Sequence, residues 1–212
     1  MPKASRAAKR LQIDAIIFDI GRVIIDLDPS RAIAVLGAAS NLTPEKLWTA
    51  VQEDPLWPGW QEGRVTPRAW YENLSARFHT SISFDEFCDV WNSVMSKKLI
   101  LPERLFKQLS QKCRLVLLSN TDPIHVACME SNFNFIRYFP RRIYSCEVGA
   151  VKPSIKIFDA AIKAAAAPPN RILFIDDIRQ YVVAARRAGL HAMQFRSRPQ
   201  LEAALRRLRL LP

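Results

Sequence analysis

The stretch Ile13-Asp14-Ala15-Ile16-Ile17-Phe18-Asp19-Ile20-Gly21 constrains this chain more than any other. An apolar run of strand-forming type, 15–18, ends on an acid, Asp19, and a glycine stands two residues further on. An acid at the C-terminal end of a buried parallel strand sits where open α/β sheets hold their ligands. Two later apolar runs end in a comparable way. Leu115 to Leu118 enters Ser119-Asn120-Thr121, and Ile172 to Ile175 enters Asp176-Asp177. Between them, Val151-Lys152-Pro153 offers a cation just before a helix. Each of these ends is ordinary by itself. Acid, Ser/Asn, lysine and acid pair in that order, on successive strand-to-helix turns, form a set with a joint chemistry.

The rest of the pattern tells where these turns sit. Strand one covers about 13–18. Residues 20–28 form a loop or small flap, relieved by Gly21 and closed by Asp26-Leu27-Asp28-Pro29. Pro29 and Ser30 then open a helix. From Pro29 to about Leu101 strand-like runs vanish and apolar residues recur at helical spacing, as in Trp70, Leu74 and Phe78. Thr43-Pro44-Glu45, Thr66-Pro67 and Ser83 with Glu86 three residues later read as helix starts. Strands and helices alternate again from Pro102: helix 102–111, strand 114–118, helix 123–132, strand 142–145, helix 153–166, strand 171–175, helix 179–188 ended by Gly189, strand 190–195, and a basic helix from about 199. The fold class expected is α/β, a Rossmann-like doubly wound parallel sheet with right-handed crossovers and a helical segment inserted after the first strand. The division is 12–28 with 102–197 for the core, 29–101 for the helical insertion, and 1–11 and 198–212 as basic terminal segments.

Composition bounds the setting. A chain of 212 residues with 49% hydrophobic content suits one domain plus a modest insertion. No run of eighteen apolar residues exists, so no membrane span is expected. Cys88, Cys113, Cys128 and Cys146 are scattered, with no Cys-x-x-Cys pair. They read as reduced, mostly buried thiols of a cytoplasmic protein rather than metal ligands. Most of the net charge of +11 gathers at the two ends, in Lys3, Arg6, Lys9 and Arg10 and in Arg186, Arg187, Arg196, Arg198, Arg206, Arg207 and Arg209. No nucleic-acid motif accompanies it and no aromatics interleave with it, so two solvated basic ends are expected, not a nucleic-acid surface.

The residues at the strand ends carry a resemblance. Phe18-Asp19-Ile20-Gly21-Arg22-Val23, Leu118-Ser119-Asn120-Thr121, Val151-Lys152-Pro153 and Phe174-Ile175-Asp176-Asp177 resemble the four motifs of the haloacid-dehalogenase superfamily of phosphotransferases. The likeness runs over roughly 12–196. It is greatest to bacterial sugar-phosphate phosphatases of the glucose-1-phosphatase kind and to the phosphatase domain of soluble epoxide hydrolase. It implies that the helical insertion is a cap over the active site. It implies that Asp19 is a nucleophile forming an aspartyl-phosphate. Mg²⁺ would be held by Asp19, the Gly21 carbonyl, Asp177 and, directly or through water, Asp176. Ser119 and the Asn120 amide would hold phosphate oxygens, and Lys152 would neutralise the phosphoryl group and the nearby carboxylates.

The expected activity is hydrolysis of a small phosphomonoester, sugar phosphates first, with a small phosphorylated substrate as the partner. The alternatives are a catalytically weak binding or regulatory protein and a metal-independent haloacid dehalogenase. The acid pair Asp176-Asp177 argues against the dehalogenase, because unbalanced acids repel a substrate carboxylate. Two departures from the resembling group bear on mechanism. Most phosphatases of the superfamily have a second Asp where this chain has Gly21, a glycine it shares with the sugar-phosphatase group. Tyr181 stands where that group has Asn. Without an acid at Gly21, leaving groups that depart unprotonated are favoured. Glu62 and His125 are further candidates for substrate contact, the first through a sugar hydroxyl; the alternatives are a solvated loop acid for Glu62 and a satisfied helix-surface histidine for His125. Trp57 and Trp60 either line the pocket or pack between cap helices. The sequence carries no signal of oligomeric state.

Overall fold

The computed structural model of the chain describes residues 11–38, 40 and 42–212. The basic residues Lys3, Arg6, Lys9 and Arg10 lie outside the described residues. Strand β1 is Ala15–Phe18, every residue of it buried. After a turn comes β2, Ile25–Leu27, and then five helices: α1 Ser30–Gly37, α2 Pro44–Gln52, α3 Trp57–Gln61, α4 Pro67–Phe78 and α5 Phe84–Asn92. Strand β3, Met95–Leu99, leads back to the core elements. These are α6 Glu103–Ser110, β4 Arg114–Ser119, α7 Pro123–Asn132, β5 Arg141–Tyr144, the short α8 Ser145–Val148, α9 Ile155–Ala165, β6 Ile172–Asp176, α10 Arg179–Arg187, β7 His191–Gln194 and α11 Arg198–Arg207.

Five strands form one parallel sheet in the order β5-β4-β1-β6-β7. Phe18 on the central strand pairs with Leu117 on one side and Ile175 on the other, so β1, β4 and β6 end level with one another. That register brings Asp19, Ser119 and Asp176 to one edge. The side chains alternate faces, as strands require. Ile16, Phe18, Leu115, Leu117, Leu173 and Ile175 pack on one side with Leu105, Phe106, Leu109 and Phe139. Ala15, Ile17, Val116, Leu118, Ile172 and Phe174 pack on the other with Ile157, Phe158 and Ala161 of α9. The doubly wound core is therefore as the alternation predicts.

Three features differ from the sequence reading. First, the insertion is not wholly helical. β2 and β3 pair antiparallel, Ile25 with Leu99 and Leu27 with Met95, and so tie the entry of the insertion to its exit. Met-Ser-Lys-Lys-Leu is a weak strand signal because only Met95 is buried and Lys97 and Lys98 face solvent. Second, the segment after 197 is not a basic appendage. Leu201, Leu205, Leu210 and Leu211 are buried in the same cluster as Ile16 and Phe18, while Arg206, Arg207 and Arg209 face outward. The basic composition hides an amphipathic helix that covers one face of the sheet. Third, of the four free cysteines only Cys113 is buried, and the other three are partly exposed.

The insertion has its own aromatic core. Trp60, Trp70, Trp91, Phe78 and Phe87 are buried together, with Trp60 stacked on Trp70 at 5.5 Å. Its helices start where the sequence predicts. The side chains of Thr43, Thr66 and Ser83 accept the backbone N–H groups of Lys46, Ala69 and Glu86. Among the described residues no helix is long and apolar enough to cross a membrane.

Candidate active site

Asp19 follows β1 directly, its N–H bonded to the Ile175 carbonyl at 2.9 Å, and Asp176 is the last residue of β6. Both carboxylates are buried. Lys152, on the turn before α9, reaches between them. Its Nζ donates to Asp19 Oδ1 at 2.6 Å and to Asp176 Oδ2 at 2.7 Å. Asp176 Oδ1 accepts the Ile178 N–H at 2.8 Å, so each oxygen of this carboxylate carries a hydrogen bond. Among the described residues Asp19 Oδ2 makes no such bond, leaving one carboxylate oxygen free. Asp177 is half-buried beside the pair.

Asn120 is bound to the backbone of Lys152. Its Oδ1 accepts the Lys152 N–H at 2.7 Å, and its Nδ2 donates to the Lys152 carbonyl at 3.1 Å. The same Nδ2 lies 3.4 Å from the Tyr181 hydroxyl. The Tyr181 ring faces the Lys152 ammonium at 5.0 Å from its centre. The Asn120 amide thus holds the lysine turn in register, and Tyr181 occupies the flank of the ion cluster. Thr121 is fixed from the next turn, since its N–H donates to Ser145 Oγ, whose hydroxyl donates to the Thr121 carbonyl.

Electrostatics follow from this burial. Asp19 is pushed up to about 7 by removal from water first, then by Asp176 and Asp177, against the pull of Lys152. Asp177 is raised by burial and by Asp176. Burial works against the charge on Lys152, but Asp19 and Asp176 outweigh it and hold the ammonium protonated. Carboxylate oxygens of Asp19, Asp176 and Asp177 all lie within 4.8 Å of one another. With all three ionised, three carboxylates against one ammonium leave an excess of two negative charges in a small, largely buried volume. Oxygen donors with that excess fit a hard divalent cation.

A cavity of about 190 Å³ lies over this edge, walled below by Gly21, Ser119, Asn120 and Thr121 and above by Trp48, Trp57, Gln61 and Trp91 of the insertion. The insertion is thus a cap. The sequence candidates fall as follows. Asp19, Lys152, Asp176 and Asp177 come together, and Gly21, Ser119 and Asn120 border the cavity beside them. Trp57 lines the cavity, whereas Trp60 is buried within the cap core.

Glu62 is displaced from the role expected of it. It is held by Arg64 at 2.6 Å, and the neighbouring Gln61 lines the cavity instead. Gln61 and Glu62 sit at the end of α3, where one step along the chain turns a side chain through about a quarter of a revolution. His125 does border the cavity, but its ring nitrogens are occupied. Nδ1 is 2.8 Å from Asp122 Oδ2 and Nε2 is 3.0 Å from the Trp91 carbonyl. It has no nitrogen left for a substrate hydroxyl. Trp48, Trp91, Gln61 and Asp122 escaped the sequence reading. Only Asp122 had a local signal, an acid before a proline at a helix start.

The chain's similarity to known proteins matches this geometry. A family model described as haloacid dehalogenase-like hydrolase matches residues 13–189. A D-ribitol-5-phosphate phosphatase from Bacteroides thetaiotaomicron is 22% identical over 188 residues, covering 86% of this chain and 91% of that enzyme. A solved HAD family enzyme from the same organism, in complex with magnesium and inorganic phosphate, is 25% identical with a TM-score of 0.75, covering 88% of this chain and 96% of that one. A HAD-like family hydrolase from Porphyromonas gingivalis is 26% identical with a TM-score of 0.75, over 92% of this chain and 98% of that one.

Proposed function

The chain belongs to the haloacid dehalogenase-like hydrolases, and from that premise we propose that it is a Mg²⁺-dependent phosphatase of small, uncharged-alcohol phosphomonoesters, sugar 1-phosphates first. The observation that carries the reading is the Asp19–Lys152–Asp176 ion cluster with Asp177 beside it, one oxygen of Asp19 being free. Asp19 Oδ2 attacks phosphorus while the ester oxygen departs with its electron pair. Water then attacks the aspartyl-phosphate, releasing inorganic phosphate and restoring the carboxylate. Lys152 favours the ionised form of Asp19 against the burial that raises it, and opposes the charge of the phosphoryl oxygens. Asn120 fixes the lysine turn, and Ser119 stands at the floor of the cavity. Asp19, Asp177, Asp176 and the Gly21 carbonyl would hold the cation, which when bound balances the surplus negative charge and that of the phosphate. The relative crystallised with magnesium and phosphate supports this assignment.

The cavity supports the substrate class. Its walls carry no lysine or arginine, and its charged residues, Asp122 and His125, neutralise each other. A second phosphate or a carboxylate on the substrate would find no counter-charge there. About 190 Å³ admits a leaving group on the scale of a small sugar or polyol, and the relative named for ribitol 5-phosphate supports that scale. Gly21 supports the preference among esters. With no acid at that position, the departing oxygen keeps much of its charge, and the barrier tracks its acidity.

The test is a panel of phosphate esters of graded leaving-group acidity, with and without Mg²⁺, read in the burst phase so that aspartyl-phosphate hydrolysis does not mask the first step. Turnover that needs Mg²⁺, with 1-phosphates and aryl phosphates ahead of 6-phosphates, is expected. Activity indifferent to chelation removes the metal from the reading. No turnover of any ester favours a binding protein. A flat dependence on leaving-group acidity removes the 1-phosphate preference.

A further inference from the structure

The motifs that define the ion cluster leave one charged pair at the cavity unused, the buried Asp122 and the partly buried His125 at the start of α7. Asp122 caps that helix: its Oδ1 accepts the His125 backbone N–H at 2.9 Å. Its Oδ2 accepts from two sides, from His125 Nδ1 at 2.8 Å and from the indole Nε1 of Trp91 at 3.1 Å. The other ring nitrogen of His125 faces the Trp91 carbonyl at 3.0 Å. The His125 and Trp91 rings stack at 5.8 Å and 16°. Trp91 belongs to α5 in the cap, and Asp122 and His125 belong to the core. The four contacts close a ring of hydrogen bonds across the cap–core junction, and both aromatic rings border the cavity.

The chemistry of the partners fixes the proton count. A carboxylate and a carbonyl are acceptors only, so both imidazole nitrogens must donate, and only the imidazolium does that. A neutral ring would leave either the carboxylate or the carbonyl facing a lone pair. We infer that His125 is a positioning residue: a standing imidazolium that pins the cap helix α5 to the core helix α7, sets Trp91 as a wall of the substrate cavity, and gives no proton to the leaving group.

The surroundings agree. Burial works against the charge on His125, but Asp122 and the Trp91 carbonyl outweigh it and raise the ring above its ordinary value. Asp122 is itself penalised by burial and is still held below the usual carboxylate range, by His125 first. The groups facing the pair from neighbouring elements are thiols. Cys88 on α5 and Cys146 on α8 are both raised, by burial first and by Asp122 among the lesser causes. Both stay neutral near pH 7. Beyond Cys88, the acids Asp85 and Asp89 on α5 and the cation Arg68 on α4 act on that thiol, and Glu147 on α8 acts on Cys146.

Two measurements test this. The kinetic one rests on the phosphatase reading; the spectroscopic one does not, so the two can fail separately. In the unmodified protein, nitrogen NMR of the histidine side chains at pH 7 should show His125 with both ring nitrogens protonated. A neutral tautomer overturns the inference, whether or not the enzyme turns over. For His125→Gln, the KM for a sugar phosphate should rise about tenfold with kcat changed far less, since a loosened Trp91 wall weakens binding of the leaving group. The slope of burst rate against leaving-group acidity should match that of the parent. A KM within twofold of the parent overturns the positioning role. A steeper slope overturns it too, by making His125 the proton donor. If the Gln variant does not fold, the NMR result alone decides.

Discussion

Replacing Lys152 by Met probes the ion cluster most directly. The side chain is buried, and its ammonium bridges two buried carboxylates at 2.6 and 2.7 Å. Methionine fills similar volume without charge. It leaves Asp19 and Asp176, with oxygens within 4.8 Å of each other, unscreened. At an effective dielectric of 20, two charges at that separation repel by about 3.5 kcal/mol, and breaking a buried ion pair from one side typically costs about 3–5 kcal/mol. For a chain of 212 residues, at about 2–4 °C per kcal/mol, the melting temperature should fall on the order of 10 °C at pH 8. The sign with pH is fixed. A carboxylate whose folded-state pKa is raised contributes stability that is present below its unfolded value and lost as pH rises through the folded one. Asp19 already runs from 3.8 to about 7 with the lysine in place. Without it Asp19 is raised further, because the lysine is what pulls it down, so the deficit should be small near pH 4 and should grow toward pH 8. Phosphatase turnover should fall by at least about 10²-fold, the usual cost of removing one preorganised charge from such a site. The assay is thermal melting of parent and variant from pH 4 to 8, with burst kinetics beside it. A melting deficit that is flat with pH, or absent, would refute the electrostatic account of the cluster.

Asp19→Asn should abolish turnover and melt no lower than the parent at pH 8, because a buried carboxylate raised to about 7 is replaced by a neutral isostere. Retained activity would take Asp19 out of the nucleophile role. Mg²⁺ at a hundred times its dissociation constant should stabilise the protein by about 2.7 kcal/mol. That shift should shrink near pH 5, where Asp19 holds its proton, and Asp177→Ala should lose most of it; calorimetry with and without chelator checks both. Leu205→Ala should cost about 2–5 kcal/mol, since Leu205 is fully buried in the main core. A loss under 1 kcal/mol in a denaturant melt would make the C-terminal helix the appendage its composition suggests.

What the sequence made legible follows from where the information lies. The motif residues sit at strand ends, and each strand is a short run of apolar residues whose end is marked by the first polar one. Asp19, Ser119 and Asp176 could be placed on one edge because the parallel register that aligns them is a property of the doubly wound fold, not of any distant contact. The cap is different. Its helix starts were visible in Thr43, Thr66 and Ser83 because a cap is a local hydrogen bond. Which face each helix turns to the cavity was not, because Gln61 and Glu62 differ only by one step of rotation. The C-terminal helix was misread for a related reason. Ten residues with three arginines look solvated until Leu201 and Leu205, four apart, are seen to share one buried face. His125 shows the limit most clearly. A histidine near such a turn reads either as a substrate contact or as a satisfied helix-surface residue, and Asp122 three residues earlier accounts for only one of its ring nitrogens. Its role is decided by the carbonyl of Trp91, 34 residues away, in a different structural layer. Once that acceptor and Asp122 are both in place, neither ring nitrogen is free. The position that read as a candidate substrate contact then becomes one that holds the cap. Among the described residues that leaves Gly21 with no evident substitute for the missing acid, and on the proposed phosphatase reading the preference among esters should then follow the leaving group itself.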